Sequence, residues 1–283
     1  MATAAILEEQ IINYYDACHR DFQFAWHLNS HLSMHYGYWS RRTSNLKEAL
    51  QNLDRKVARV AQIKNHDLVL VAGCGVGGSA IYLAQNHSCR VEGITLSQKQ
   101  VDFAINKALE YQVGDRTNFS VANYCNTPFA ADTFDVVWAI ESVCHAPEKD
   151  AFLQEAYRIL KPGGRLIVVD FFYNHRNDSN QNNLMAKWAS AVAIPQFEFF
   201  TDFLHKAHKV GFDGIKTKNI TKNIRPSARR LYFLHYPAII CYKFLDLIGK
   251  GSELNVRNAM AALYQYQALK ENLWSYQMLS AVK

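Results

Sequence analysis

The chain lacks the cysteine spacings that mark metal or redox sites. Its six cysteines, Cys18, Cys74, Cys89, Cys125, Cys144 and Cys241, are scattered over 283 residues, and none forms a CxxC pair. A disulfide framework and a zinc site are therefore not expected, no metal ligand is assigned, and a reducing cytosol is the expected compartment. The chain also lacks a spanning segment. Its most apolar stretch, residues 231–247 (LYFLHYPAIICYKFLDL), contains His235, Pro237, Lys243 and Asp246. It falls short of the roughly 20 predominantly apolar residues that a spanning helix needs. The first residues, MATAAILEEQII, set acids into an apolar stretch with no basic leader, so they read as a helix start and not a signal peptide. There is no basic run and no Asn-Pro-Pro-Tyr or Asp-Pro-Pro-Tyr turn, so nucleic acid is not an expected partner. The net charge of +6 suits an anionic ligand or an anionic membrane surface.

What remains is globular in composition, 49% hydrophobic and 20% charged. The length suits one compact α/β domain with an added substrate-binding segment. Three stretches are expected within it: a helical cover over residues 1–63, a nucleotide-binding core over 64–172, and a substrate cap with closing strands over 173–283. In the first, Ile11, Tyr14, Tyr15 and Cys18 recur at helical spacing. Residues 46–63 predict an amphipathic helix with Leu46, Leu50, Leu53, Val57 and Val60 on one face.

Residues 67–171 alternate strand and helix patterns. Strands are expected at 67–72 (DLVLVA), 90–94, 117–122, 134–140 (FDVVWAI) and 165–171 (RLIVVDF). Helices are expected from Gly75 through Leu83, over 97–111 and over 150–160. Continuous apolar strands separated by helices imply a doubly wound, mostly parallel, Rossmann-like sheet. Beyond residue 172 the pattern predicts a polar loop over 173–183, a helix over 196–210, a strand over 214–220, aromatic helices over 226–249 and a closing strand over 274–283.

The strongest local signal is VAGCGVGG, residues 71–78, between a strand and a helix. Glycines there allow a tight turn and close approach of a ligand to free N–H groups. Gly73, Gly75 and Gly78 also fit G-x-G-x-x-G, so a nicotinamide or flavin dinucleotide competes for the same loop. A dinucleotide site wants an acid at the end of the second strand. Here Glu92 lies inside that strand and Thr95 stands at its end.

The loop, together with FDVVWAIESVCH, the LKPGG turn at 160–164 and RLIVVDF, resembles class I S-adenosylmethionine-dependent methyltransferases. The resemblance is to the branch holding sterol, tocopherol and quinone C-methyltransferases, cyclopropane fatty acid synthases and natural-product O-methyltransferases. It covers roughly residues 10–175. It implies that Gly73, Cys74 and Gly75 line the methionine part of the cofactor, with Gly78 closing the loop. It implies that Thr95, Leu96 and Gln100 meet the ribose and adenine, and that Asn123 and Tyr124 meet the adenine amine and ring. Ala139 would offer a carbonyl to the cofactor's ammonium group, beside Glu141. Tyr15, His35 and Tyr36 would fold over the methionine end. Two positions depart from the pattern: Val71 stands where relatives carry an acid, and Asn123 where they often carry Asp. These departures keep a catalytically inactive S-adenosylmethionine-binding protein in view beside a nicotinamide-dependent oxidoreductase.

Methyl transfer needs alignment, exclusion of water and at most one base. The catalytic candidates are His145, Glu141 and Asp170. His145 has an ordinary pKa suited to neutrality and serves either as base or as pocket wall. Glu141 serves as base, cation stabiliser or cofactor support. Asp170 orients His145 or a substrate hydroxyl, or holds the loop. Aromatics crowd both ends of the chain, as a cap over an apolar acceptor requires. The expected substrate is a small lipophilic molecule such as a sterol, quinone, prenylated ring, fatty acid or polyketide, methylated on carbon or oxygen. Arg225, Arg229 and Arg230 precede the apolar stretch, where they would hold an acceptor anion or touch an anionic bilayer. A monomer or homodimer in the cytoplasm, with peripheral membrane contact as a further option, completes the expectation.

Overall fold

A computed structural model describes residues 2–174 and 183–283. The described residues hold seven strands: β1 (Leu68–Ala72), β2 (Arg90–Thr95), β3 (Thr117–Val121), β4 (Phe134–Ile140), β5 (Leu160–Tyr173), β6 (Asp213–Asn219) and β7 (Trp274–Val282). They form one sheet of order β3-β2-β1-β4-β5-β7-β6. The first five are mutually parallel, and β7 runs antiparallel between β5 and β6. The fold is the expected Rossmann-like doubly wound sheet, with helices at both ends.

Side chains alternate across the sheet with a period of two. Val69, Val71, Val136, Trp138, Ile167 and Val169 pack on one face; Leu70, Ala72, Val137, Ala139, Leu166 and Val168 pack on the other. The first face carries α4 (Leu46–Ala61), α5 (Gly78–His87) and α6 (Gln98–Glu110). The second carries α7 (Lys149–Ile159) and α9 (Phe200–Val210). Edge strand β6 is mostly exposed and carries Lys216 and Lys218, which discourage pairing with another chain. From β1 the order proceeds to β2 on one side and β4 on the other. That switch opens a crevice beyond the strands' carboxyl ends, where ligands bind in sheets of this kind.

The cover is built from α1 (Ala2–Ala17), α2 (His19–Ala25), α3 (Leu28–His31) and α4. Asn45 caps α4 by accepting from the Glu48 N–H at 3.0 Å, and the Glu48 carboxylate accepts from the Ser44 N–H at 2.8 Å. Leu46, Leu50, Leu53 and Val57 are buried as expected. Val60 is not: it is 39% exposed, and the 3.6-residue period puts Ala61 in its place. The cap is α8 (Leu184–Ala191), α9, α10 (Thr221–Leu247) and α11 (Glu253–Lys270).

Several expected boundaries move. Gly73, Gly75 and Gly77 all have positive φ, so the helix after the loop begins at Gly78 and not at Gly75. Residues 196–199 are not helical, and Phe199 bridges to Tyr173, so α9 starts at Phe200. One 27-residue helix, α10, replaces the expected helices over 226–249 and starts earlier, at Thr221. Within it, Pro237 leaves the Phe233 carbonyl without its helical donor. Helices α8 and α11 have no counterpart in the sequence reading. Of the expected loop at 173–183, residues 175–182 lie outside the described residues.

Candidate active site

The glycine turn is shaped for close approach. Gly73, Gly75 and Gly77 have φ of 76°, 52° and 89°, values that L side chains rarely adopt. The Gly73 and Cys74 N–H groups both donate to the Ile94 carbonyl, at 2.9 and 2.8 Å, tying the turn to β2. Gly77 caps α5 without any side-chain acceptor, so the first N–H groups of that helix are free for a ligand. A Cβ at Gly73 would meet the Ser142 Cβ at 2.5 Å, and one at Gly78 would overlap the Leu32 carbonyl oxygen. The loop is thus glycine-rich both for the ligand and for the cover that packs on it.

Above the turn lies a cavity of about 660 Å³, within the range of small-molecule sites. Gly73, Cys74, Gly75 and Gly78 form its floor, with Thr95, Leu96 and Gln100 on the β2 side. Tyr124, Glu141 and His145 line it from the β3 and β4 ends, and Tyr15, His35 and Tyr36 from the cover. Thr95 and Gln100 are buried and bonded to each other at 2.6 Å. Three expected residues do not line it. Ala139 is buried under the sheet face that packs α7. Asn123 is held elsewhere: its amide donates to Glu8 at 2.7 Å and its oxygen accepts from the Cys125 N–H at 2.7 Å. Asp170 lies beneath the turn after β4, where it accepts from the Cys144 N–H at 2.9 Å and the Phe171 N–H at 2.8 Å. It has no bond to His145, so it holds that loop. Burial pushes its carboxyl up to about 6.

Glu141 is the most constrained group in the cavity. It follows β4 with φ of 49°, a costly region for a side-chain-bearing residue. Its N–H donates to the Val169 carbonyl at 2.8 Å. Its Oε1 accepts from the Tyr36 N–H at 2.8 Å and the Tyr276 hydroxyl at 2.6 Å. No bond among the described residues falls on Oε2. Burial pushes the carboxyl up to about 7, against the opposing pull of His35 and those two donors.

His145 is held from both ring nitrogens. Its Nδ1 faces the Ala193 carbonyl at 3.2 Å, so Nδ1 carries the proton and Nε2 accepts from the Tyr15 hydroxyl at 2.9 Å. Burial disfavours the imidazolium and takes the group down to about 4. The ring is therefore neutral at physiological pH and does not titrate near neutrality. His35 behaves oppositely. Burial pulls its pKa down, but Asp54, with Oδ2 3.7 Å from Nε2, outweighs that and leaves it raised.

Sequence reasoning missed several supporting groups. Buried Lys149 donates to the carbonyls of Cys144 at 3.0 Å and Ala146 at 2.6 Å, clamping the turn that carries His145. Ser97 donates to Asp16 at 2.7 Å, fastening α1 beside the cavity. Asp21 accepts from Tyr242, Asn255 and Asn258 and so joins cover to cap. The Ser97 and Asp21 partners lie 81 to 237 residues apart, and no local pattern announces them. Arg225, Arg229 and Arg230 are not among the cavity-lining residues; Arg230 instead donates to the Ala25 carbonyl.

The chemistry of this cavity fits an S-adenosyl nucleoside. His35 Nδ1 and the indole N–H of Trp138 are buried and without hydrogen-bond partners, and both residues line the cavity, as polar groups awaiting a ligand do. The dinucleotide reading fails at β2, where Glu92 accepts from Asn118 at 2.8 Å and does not line the cavity. The family model described as "Methyltransferase domain" matches residues 70–168. The 27-O-demethylrifamycin SV methyltransferase of Amycolatopsis mediterranei (strain S699) is 38% identical over 198 residues, which are 69% of this chain and 72% of that protein. Two solved structures share the fold. The [4+2]-cyclase SpnF is 23% identical with a TM-score of 0.79, covering 98% of this chain and 96% of that one. The geranyl diphosphate C-methyltransferase from Streptomyces coelicolor A3(2), solved with Mg²⁺, geranyl diphosphate and S-adenosyl-L-homocysteine, is 18% identical with a TM-score of 0.76, covering 98% and 97%. With the glycine turn, the switch-point cavity and this kinship together, the chain belongs to the S-adenosylmethionine-dependent methyltransferases that act on small molecules.

Proposed function

We propose that the protein methylates a small lipophilic acceptor, on carbon or oxygen, in the cavity between cover and cap, and that it works in peripheral contact with a membrane. One observation carries the acceptor class. The same cavity that contains the glycine turn is walled by Trp188, Val192, Ile194, Leu231, Leu234 and Ala238. Such a wall repays an apolar guest and offers few fixed polar contacts. Sterols, quinones, prenylated rings, fatty acids and polyketides all meet that description. Among the described residues no helix is long and apolar enough to cross a membrane.

S-adenosylmethionine supplies an electrophilic methyl group when bound. Gly73, Cys74 and Gly75 hold its methionine part beside His35, while Thr95, Leu96, Gln100 and Tyr124 hold the nucleoside. The protein aligns the acceptor, and α1 shields the site from water through Tyr15 and the Ser97–Asp16 bond. Where the acceptor loses a proton, Glu141 is the group to take it, because a carboxyl raised to about 7 exchanges protons near neutrality. The Tyr15–His145 pair positions the acceptor's reacting end. Val71 is buried in β1, paired with Gly93 and Trp138, and lines the cavity beside the glycine turn, where it presents an apolar side chain to the cofactor.

The test is incubation of the full chain with methyl-labelled S-adenosylmethionine and a lipid and metabolite extract. Label in an organic-soluble product is the expected result. Label confined to water-soluble products would overturn the acceptor class.

A further inference from the structure

Helix α10 has two working faces. Leu231, Leu234, Ala238 and Tyr242 line the cavity. The other face is apolar and bare: Phe233, Tyr236, Ile240, Phe244 and Leu247 recur every three or four residues and are exposed, Ile240 by 71% and Leu247 by 86%. The run from 233 to 247 makes a stripe about 20 Å long at the helical rise per residue. Between the faces, Pro237 and Cys241 both line the cavity and are exposed. Across from them on α2, Arg20 and Phe24 do the same, with Phe24 73% exposed. The mouth of the cavity therefore opens between α2 and α10, alongside the stripe.

Charge selects what covers this surface. Helix α10 carries Lys222, Arg225, Arg229, Arg230 and Lys243 against a single acid, Asp246. Lys222 and Arg229 fall on the stripe's own side, and Lys243 borders it; all three are exposed. A two-fold interface with a second copy would set this basic helix against itself. An anionic bilayer accepts both the apolar ridge and its flanking cations.

We propose that the exposed stripe of α10 seats in the interface of an anionic bilayer, and that the acceptor enters the cavity laterally through the mouth between α2 and α10. This rests on the lipophilic-acceptor reading and names the route by which such a molecule arrives. None of Phe233, Ile240, Phe244 or Leu247 lines the cavity, so the stripe can be changed without touching the cofactor site.

The experiment is cosedimentation of the full chain with phosphatidylcholine vesicles, with and without phosphatidylserine, at low and high salt. Binding to the phosphatidylserine vesicles, weakened by salt, is expected. The double variant Phe244→Glu, Leu247→Glu is expected to bind them at least about tenfold more weakly, with its affinity for S-adenosylhomocysteine unchanged as the check on folding. A wild-type chain that ignores both vesicles, or a variant that binds as well as wild type, would overturn the proposal. So would a wild-type dimer that the variant dissociates without any vesicle binding, which would assign the stripe to self-association. Vesicle binding needs neither cofactor nor acceptor. Failure of methyl transfer to a detergent-dispersed lipid would therefore count against the acceptor reading alone.

Discussion

At the scale of single residues, the glycine turn was legible because glycine reports backbone conformation directly. Three positive φ values in five residues leave few other side chains eligible. The titratable groups were not legible in the same way, because burial sets their behaviour. His145 reads as a neutral-pH base from its type alone, and its buried ring is held down to about 4. Asn123 reads as an adenine contact, yet Glu8, 115 positions away, holds its amide. Glu141 yields a signed prediction. Its folded pKa of about 7 stands above its ordinary 4.5, so its contribution favours the fold below about 4.5 and is lost as pH rises through 7. Glu141→Gln should therefore gain stability relative to wild type across that window, by on the order of 3 kcal/mol, measured by urea unfolding at several pH values. A stability difference that does not vary with pH would contradict the assignment. The same variant should lower kcat, by about a hundredfold or more if the carboxyl takes a proton. Replacing His145 with Ala should lower turnover more than it lowers cofactor affinity, since its Nε2 anchors Tyr15; steady-state kinetics beside a binding titration read the split.

At the scale of elements, the central parallel strands were readable as short continuous apolar runs buried on both faces, and α4 because it buries one face at the helical period. β4 was expected at 134–140 and stands there unchanged. Helix α4 announces itself by the leucine and valine positions that share one face, four of which are buried. Truncating fully buried Leu53 to Ala should cost about 2–5 kcal/mol, read from the midpoint of denaturant unfolding; a cost below 1 kcal/mol on the same scale would mean the helix is not docked as described. The cap was harder to read. α8 is only eight residues long, and α11 buries small residues such as Ala259, Ala261 and Ala268 in place of a bulky stripe. α10 hid its length behind two prolines, which read as breaks.

At the scale of the molecule, residues from both ends of the chain close over the carboxyl edge of one sheet. Tyr14 donates to Asn258 at 2.8 Å, Tyr36 to Gln265 at 2.9 Å, and Asp21 gathers three donors from α10 and α11. Such long-range pairing appears only once the chain is folded. Asp21→Ala should loosen this closure and speed release of bound S-adenosylhomocysteine, measured by stopped-flow, with the sheet's circular dichroism preserved. An unchanged release rate would show that the cover is held by apolar packing alone.

The most direct test of the central assignment is calorimetric titration of S-adenosylhomocysteine into the wild-type chain and into Gly75→Val. Position 75 has φ of 52°, and a Cβ there lies 3.0 Å from the Met34 methyl carbon. Valine should therefore distort the turn while the sheet stays folded. The expected result is saturable one-site binding in the wild type, weakened by more than about tenfold in the variant. Equal affinity in the two chains, or a wild type that binds a nicotinamide dinucleotide in place of S-adenosylhomocysteine, would contradict it.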